Sequence, residues 1–141
     1  MEHSRAVGFD LCGIAPAADF PELGQLNEWL ARGYAGEMRY LHNPRRNSPS
    51  LAMQGARSVI VCALNYNTSF PSSMDAPEPT APPTGPRGWI SRYAWGDDYH
   101  DVLEKKLEAL IGKLREEIPE PFDARAYVDT GPIVELSLIH I

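Results

Sequence analysis

SVIVCAL, residues 58–64, is the stretch that decides the fold. It is continuously apolar and rich in β-branched side chains, a pattern that predicts a strand covered on both faces. Asn65 and Tyr66 follow it and place polar groups at the rim of the expected sheet, where ligands tend to bind in α/β proteins. An asparagine that only serves a turn is the simpler interpretation of the same position.

The segments before this strand predict an α/β arrangement. Residues 7–15 (VGFDLCGIA) indicate an opening strand, and residues 21–32 (PELGQLNEWLAR) indicate an amphipathic helix. Residues 36–41 (GEMRYL) are typical of a second short helix, which Asn43 and Pro44 would end.

After this strand, residues 67–88 are rich in proline, serine and glycine, which predicts a disordered surface loop rather than a linker between domains. Asp98 is a candidate N-cap for the clearest helix, whose apolar side chains recur at helical spacing. Residues 124–128 then predict a last strand that leads into Asp129. The whole order indicates an α/β fold in which helices flank a small mixed sheet.

The bulk composition limits the class of protein. A length of 141 residues suits one domain, and a net charge of −6 argues against a general nucleic-acid binder. No apolar run is long enough to cross a bilayer and no secretory signal begins the chain, so we expect a cytoplasmic protein without a membrane partner. Cys12 and Cys62 lie in apolar runs without CxxC spacing, which predicts buried, reduced thiols and no metal site.

Asp129 is a candidate general acid because it ends an apolar run beside a chain reversal. Shielding by Val128, Pro132 and Ile133 would favour the neutral form of its carboxyl group. The alternative is an aspartate that caps the turn by accepting a hydrogen bond from the N–H of Gly131.

Residues 89–100 (WISRYAWGDDYH) carry further candidates for chemistry. Arg92, next to Tyr93, is of the type that binds a carboxylate, a phosphate or an amide-bearing cofactor. His100 lies at a helix N-terminus, where the helix dipole disfavours its protonation, and its simpler role is a hydrogen bond to a neighbouring loop.

Five segments taken together resemble a known family. In chain order they are GIAPA (13–17), WLARGYAGEMRYL (29–41), GARSVIVCALNY (55–66), ISRYAWGDDYH (90–100) and YVDTGPIVE (127–135). This series resembles the N-terminal domain of epoxyqueuosine reductase over residues 7–135, interrupted only by the proline-rich loop. The RYAxGxDYH and VDTxPxxE patterns are specific in combination.

The resemblance implies reduction of the epoxide on the modified wobble base of epoxyqueuosine-bearing tRNA to an alkene. It implies a cobalamin cofactor fed by two [4Fe–4S] clusters, and a full-length enzyme that is a monomer and contacts tRNA mainly through C-terminal parts. Asp129 matches the family's general acid and is also expected to contact the cofactor. Arg57 or Ser58, Arg92 and Tyr93 match segments near the corrin, and Tyr99 and His100 match the lining of the same cleft.

The chain departs from the family pattern after Glu135. The family continues with a glycine-rich segment and a CxxCxxCxxxCP pattern that supplies the cluster ligands, whereas this chain ends in LSLIHI. We expect residues 1–135 to form the family-like domain, residues 136–141 to be an adapter-derived tail, and the chain as given to be inactive. The alternatives are another cobalamin-dependent reductase, akin to a reductive dehalogenase, and a non-catalytic corrinoid-binding module.

Overall fold

A computed structural model describes residues 1–72, 85, 88–129 and 131–133. These residues form four α-helices, two strands and three short 3₁₀ helices. The α-helices are α1 (Glu2–Ala6), α2 (Leu23–Ala31), α3 (Pro49–Ala52) and α4 (Tyr99–Glu117), and the strands are β1 (Leu11–Pro16) and β2 (Ser58–Ala63). The 3₁₀ helices are Arg39–His42, Pro44–Asn47 and Arg92–Ala94. The predicted α/β class, a small sheet with helices, is confirmed.

The sheet consists of β1 paired with β2. The backbone N–H of Asp10 donates to the carbonyl of Ala63 at 3.0 Å, and that of Ala17 donates to the carbonyl of Arg57 at 3.0 Å. Because the partner's number falls as the first number rises, the two strands are antiparallel.

The predicted coverage of residues 58–64 on both faces is wrong. Val61 of β2 is 60% exposed and Leu11 of β1 is 71% exposed. Cys12 and Cys62 are likewise half-buried rather than buried. A run of apolar residues favours burial of a strand. It does not specify which other element of the chain covers that strand.

Contacts divide the chain into two compact units, and the first comprises Met1–Leu11 and Cys62–Phe122. In it α1 packs against α4, with Phe9 and Leu110 buried. The ammonium group of Lys106 donates to the carbonyls of Val7 at 2.9 Å and Gly8 at 3.3 Å. His3 also bonds the carboxylate of Glu117, so polar contacts at both ends of the pair hold the short α1 against α4.

The second unit comprises Cys12–Val61 and Asp123–Ile141. The 3₁₀ helix Pro44–Asn47 packs against α2 and α3, and Ala35 and Ala52 are buried. The guanidinium of Arg125 donates to the carbonyl of Ala52 at 3.1 Å. This bond satisfies a carbonyl at the end of α3, which has no helical partner of its own.

Two predicted elements are wrong. Residues 124–128 form no strand, and residues 36–41 form no α-helix but lead into the 3₁₀ helix Arg39–His42. Gly36 has a φ of +53°, outside the right-handed helical region, and Pro44 prevents continuation beyond Asn43. The strand prediction rested on apolar residues alone, whereas a strand also needs an edge with which to pair.

Other predictions are confirmed or fall outside the described residues. The predicted opening strand is β1, the helix predicted over residues 21–32 is α2, and the longest helix is α4. The disorder expected within residues 67–88 and the tail expected at residues 136–141 concern mainly or wholly residues outside the described set. In the part that the structure describes, no helix has both the length and the apolarity to cross a membrane.

The predicted cap of α4 is present. One carboxylate oxygen of Asp98 accepts the backbone N–H of His100 at 2.9 Å and lies 2.8 Å from Nδ1 of the same histidine. The backbone bond first, and the ring contact second, lower the pKa of Asp98 below its ordinary value of 3.8. These contacts tie the first turn of α4 to the residue before it.

Replacing Asp98 by alanine is expected to lower the melting temperature by a few degrees, because α4 loses its cap. Asp98→Asn keeps an oxygen acceptor and is expected to lose less. The pKa of the Asp98 carboxyl group is lower in the folded than in the unfolded protein. The stabilisation that its negative charge provides is therefore present above about pH 3.8, and it is lost as the pH falls through the pKa of the folded protein. Thermal unfolding followed by circular dichroism between pH 3 and 7 measures both effects.

Asp97→Ala is the matched control for this experiment, because Asp97 is the neighbouring exposed acid and lies before the capping position. Equal losses for the Asp97 and Asp98 variants, or a loss for Asp98→Ala that does not depend on pH, would contradict the capping role.

Gly8 and Gly96 offer a second matched pair, since both are exposed and both have a φ of +88°. Alanine in this region costs roughly 1–2 kcal/mol at either position. A Cβ on Gly8 would also lie 2.5 Å from Nζ of Lys106, whereas one on Gly96 meets nothing within 4 Å.

We therefore expect Gly8→Ala to reduce the free energy of unfolding by about 1 kcal/mol more than Gly96→Ala, because Lys106 must leave its carbonyl partners. Urea titration of the two variants measures the difference. Equal losses would show that Lys106 moves aside without cost.

Candidate functional site

Arg92 forms several hydrogen bonds. Its guanidinium donates to the side-chain oxygen of Asn67, to the carbonyl of Thr68 at 3.3 Å and to the carbonyl of Phe70 at 3.2 Å. Its Cζ atom also lies 5.8 Å from the centre of the Trp95 ring. The planar, forked shape of guanidinium allows several acceptors to be held at once. Arg92 therefore holds the loop that follows β2, residues 67–70.

Aromatic rings line up beside this loop. Tyr66 and Tyr93 meet edge to face with centroids 6.3 Å apart, and Tyr93 and Tyr99 meet in the same way at 5.6 Å. The rings of Tyr99 and His100 follow with centroids 4.1 Å apart. We call these four residues the aromatic row. Tyr66 is 65% exposed and Tyr93 is 50% exposed, so the row offers ring surface to a ligand.

His100 is half-buried and its ring is held by the Asp98 carboxylate. The ring of His100 thus bonds the cap of its own helix, and the predicted place of His100 in the cleft lining stays a prediction. This contact fixes which way the imidazole faces at the end of the aromatic row.

Asp129 occupies an unusual backbone conformation. Its φ of +54° is the only positive value among the described residues other than glycine. Aspartate tolerates this left-handed region better than most side chains do. Gly131 is buried next to it, and a Cβ on Gly131 would lie 2.7 Å from the Cβ and Cγ atoms of Tyr127. The turn thus requires glycine at position 131 and accepts aspartate at position 129.

The predicted shielding of Asp129 is wrong for the described residues. Asp129 is exposed, and Ile133, expected to cover it, is itself 36% exposed. Val128 and Pro132 are only half-buried. The left-handed backbone redirects the chain at this residue, so apolar neighbours in sequence need not become neighbours of the carboxyl group.

The predicted site residues fall into two groups. Arg92, Tyr93, Tyr99 and His100 come together in the first unit, whereas Arg57, Ser58 and Asp129 belong to the second. Arg57 and Ser58 are exposed at the start of β2. Among the described residues, no group of three or more His, Cys, Asp or Glu is arranged to hold a metal ion.

Asn67 also belongs to this site, although the sequence places it in the proline-rich loop. The sequence predicts Tyr66 only as a polar group at the sheet rim. The available signal was their position immediately after a strand, where side chains collect at the rim of a sheet.

Comparison with protein families gives a match to "Epoxyqueuosine reductase QueG, DUF1730" over residues 46–130. The epoxyqueuosine reductase of Gloeobacter violaceus is 44% identical over 134 residues, which are 94% of this chain and 39% of that protein. The chain thus spans about two fifths of the length of the curated relatives it matches.

Solved structures give the same result. A crystal structure of epoxyqueuosine reductase with an epoxyqueuosine-modified tRNA-Tyr stem loop aligns with a TM-score of 0.75 and 28% identity, over 97% of this chain and 35% of that one. An epoxyqueuosine reductase from Bacillus subtilis, with an aspartate-bearing catalytic loop swung out of the active site, aligns with a TM-score of 0.63 and 29% identity over 84% of this chain and 31% of that one. The chain belongs to the epoxyqueuosine reductase family.

Proposed function

We propose that this chain is the cofactor-cleft part of an enzyme that reduces the epoxide of epoxyqueuosine in tRNA to the alkene of queuosine. One observation carries the proposal: the family match over residues 46–130 contains all seven candidate residues. They are Arg57, Ser58, Arg92, Tyr93, Tyr99, His100 and Asp129. The relatives and solved structures described above are epoxyqueuosine reductases, which supports this reaction over that of a reductive dehalogenase or the role of a non-catalytic corrinoid carrier.

The proposed reaction assigns a proton to Asp129. Conversion of an epoxide to an alkene breaks both C–O bonds, consumes two electrons and two protons, and releases the oxygen as water. Asp129 donates one of these protons to the epoxide oxygen as its C–O bond breaks. Exposure of Asp129 supports this role, because a base of a large RNA must be able to reach the acid. The aspartate-bearing catalytic loop of the B. subtilis relative supports it as well.

Cobalamin is the proposed cofactor, and two [4Fe–4S] clusters bound outside this chain are its proposed electron source. Bound cobalamin would supply the electrons that the reduction requires. The aromatic row fits a broad, flat ligand, since Tyr66 and Tyr93 expose ring surface side by side. Tyr99 and His100 would line the same cleft. Arg57 and Ser58, exposed at the start of β2, are proposed as cofactor contacts because they match family segments near the corrin.

The contacts of Arg92 suggest how it serves this site. Its donors already hold Asn67, Thr68 and Phe70, so we propose that it supports the cofactor by positioning the loop beside the aromatic row.

The proposed partner is tRNA that carries epoxyqueuosine, which the stem-loop complex of a relative supports. The complete enzyme is proposed to act as a monomer in the cytoplasm, where tRNA is modified, without a membrane partner.

Asp129→Asn, made in the protein produced from its intact gene, is expected to lower the rate of epoxide reduction by about 10²–10⁴-fold. Asparagine adopts the left-handed backbone as readily as aspartate but cannot donate this proton, so cobalamin binding should stay unchanged. Single-turnover analysis of the modified nucleoside measures the reaction, and the absorbance of bound cobalamin measures occupancy.

Asp123→Asn is the matched control, since it removes one exposed carboxylate from the same unit. Turnover at the wild-type rate by the Asp129→Asn enzyme, with cobalamin bound, would refute the acid role.

Arg92→Lys distinguishes positioning from direct charge binding. Lysine keeps the charge but lacks the fork that holds three acceptors, so we expect weaker cobalamin binding and faster amide exchange at residues 67–70. Arg115→Lys, on the exposed face of α4, should change neither quantity. If Arg92→Lys retains full cobalamin affinity, the positioning role is wrong, because any remaining role would need only a charge.

A further inference from the structure

The net charge of the chain conceals a basic segment. Residues 33–57 contain four arginines and a single acidic residue, Glu37, and so carry a net charge of +3. The rest of the chain therefore carries −9, because the total is −6. A local excess of arginine in an acidic chain is a feature to explain, since an acidic surface repels polyanions and a basic one attracts them.

The centre of this segment is formed by two consecutive 3₁₀ helices, Arg39–His42 and Pro44–Asn47, which we call the basic turn. Arg46 joins them: its Nε donates to the carbonyl of Tyr40 at 3.3 Å, and its Cζ lies 5.2 Å from the centre of the Tyr40 ring. Asn43 caps the second helix through a 3.1 Å bond from the N–H of Arg45. Its second helix, Pro44–Asn47, packs against α2 and α3 and is therefore supported by them.

Arg39 and Arg45 are the residues of the basic turn whose positive charges are available to a ligand. Both are exposed, and within the described part of the chain neither forms an ion pair. Arg46 contacts Tyr40, and these two residues are the sequence neighbours of Arg45 and Arg39, respectively. Tyr40 is 61% exposed and adds aromatic surface to the basic turn.

We infer that the basic turn binds the phosphodiester backbone of RNA, with Arg39 and Arg45 as the phosphate contacts. Exposed guanidinium groups around an exposed aromatic ring are the features by which proteins hold RNA loops and strands. The inference rests on the proposed function only in naming a stem loop as the RNA. It gives this basic segment a direct role in substrate binding. The net negative charge of the whole chain alone would argue against such a role.

The test compares two pairs of substitutions with equal changes of charge, made in the protein from its intact gene. The first pair is Arg39→Gln with Arg45→Gln in the basic turn. The control pair is Arg5→Gln with Arg115→Gln, two exposed arginines of the first unit. Glutamine removes each charge while keeping a flexible polar side chain. Circular dichroism and bound cobalamin confirm that each variant is folded.

Binding is measured with an epoxyqueuosine-bearing stem loop and with the same stem loop carrying guanosine at that position. The basic-turn pair should weaken both complexes about tenfold, because backbone contacts are insensitive to the base. The slope of log Kd against log salt should fall by about 0.7–0.9 for each lost contact. In turnover, KM should rise while kcat stays unchanged, and the control pair should behave as wild type.

Several results would overturn the inference. They are an unchanged Kd for the basic-turn pair, an equal loss for the control pair, or a loss confined to the epoxyqueuosine RNA. Loss of binding to vesicles of anionic phospholipid with RNA binding intact would also overturn it, and would identify a membrane surface instead.

Failure of the proposed function gives a different pattern. A wild-type protein that binds both stem loops through the basic turn but never reduces the epoxide would leave the inference standing and refute the proposed reaction. Reduction at the wild-type KM by the basic-turn pair would refute the inference alone. A wild-type protein that binds neither RNA would refute both.

Discussion

Pairing of β1 with β2 is the constraint on which the rest of the structure depends. It brings residues 10–17 alongside residues 57–63, and the carboxylate of Asp10 continues the contact by accepting the N–H of Asn65 at 2.7 Å. The chain therefore leaves β2 in a set direction, and Asn67 follows within reach of Arg92. Tyr66, between these two anchored asparagines, is thereby placed against Tyr93. The aromatic row is a consequence of backbone pairing as much as of aromatic contact.

Charge is used differently along the chain. In the first unit, three charged side chains serve the fold: Asp98 caps α4, Lys106 holds the carbonyls after α1, and Arg92 holds the loop after β2. In the second unit, Arg46 and Arg125 play similar internal roles, while Arg39 and Arg45 face solvent. A net charge summed over the chain cannot separate these two uses, although only exposed charge is available to a partner.

The turn at Asp129 shows how backbone conformation and chemistry can restrict the same residue. A left-handed φ favours glycine, asparagine, aspartate and histidine over other side chains, and of the first three only aspartate can act as a general acid. Exposure of the carboxyl group means that its proposed work does not depend on burial by its own sequence neighbours.

The sequence by itself determined the elements whose signals are local. Helical spacing of leucines and the Asp98 cap identified α4, an apolar run identified β2, and the motifs around Arg92 and Asp129 identified the family. It did not determine what covers β2, whether residues 124–128 pair, or how Asp129 is exposed, because each depends on contacts between distant segments. Only the tertiary structure showed that the Arg92 guanidinium is occupied by the loop after β2 and that Arg46 contacts Tyr40 of the preceding 3₁₀ helix. Hydrogen-bond partners far apart in sequence leave no periodic signal, so they become visible only when the chain is folded.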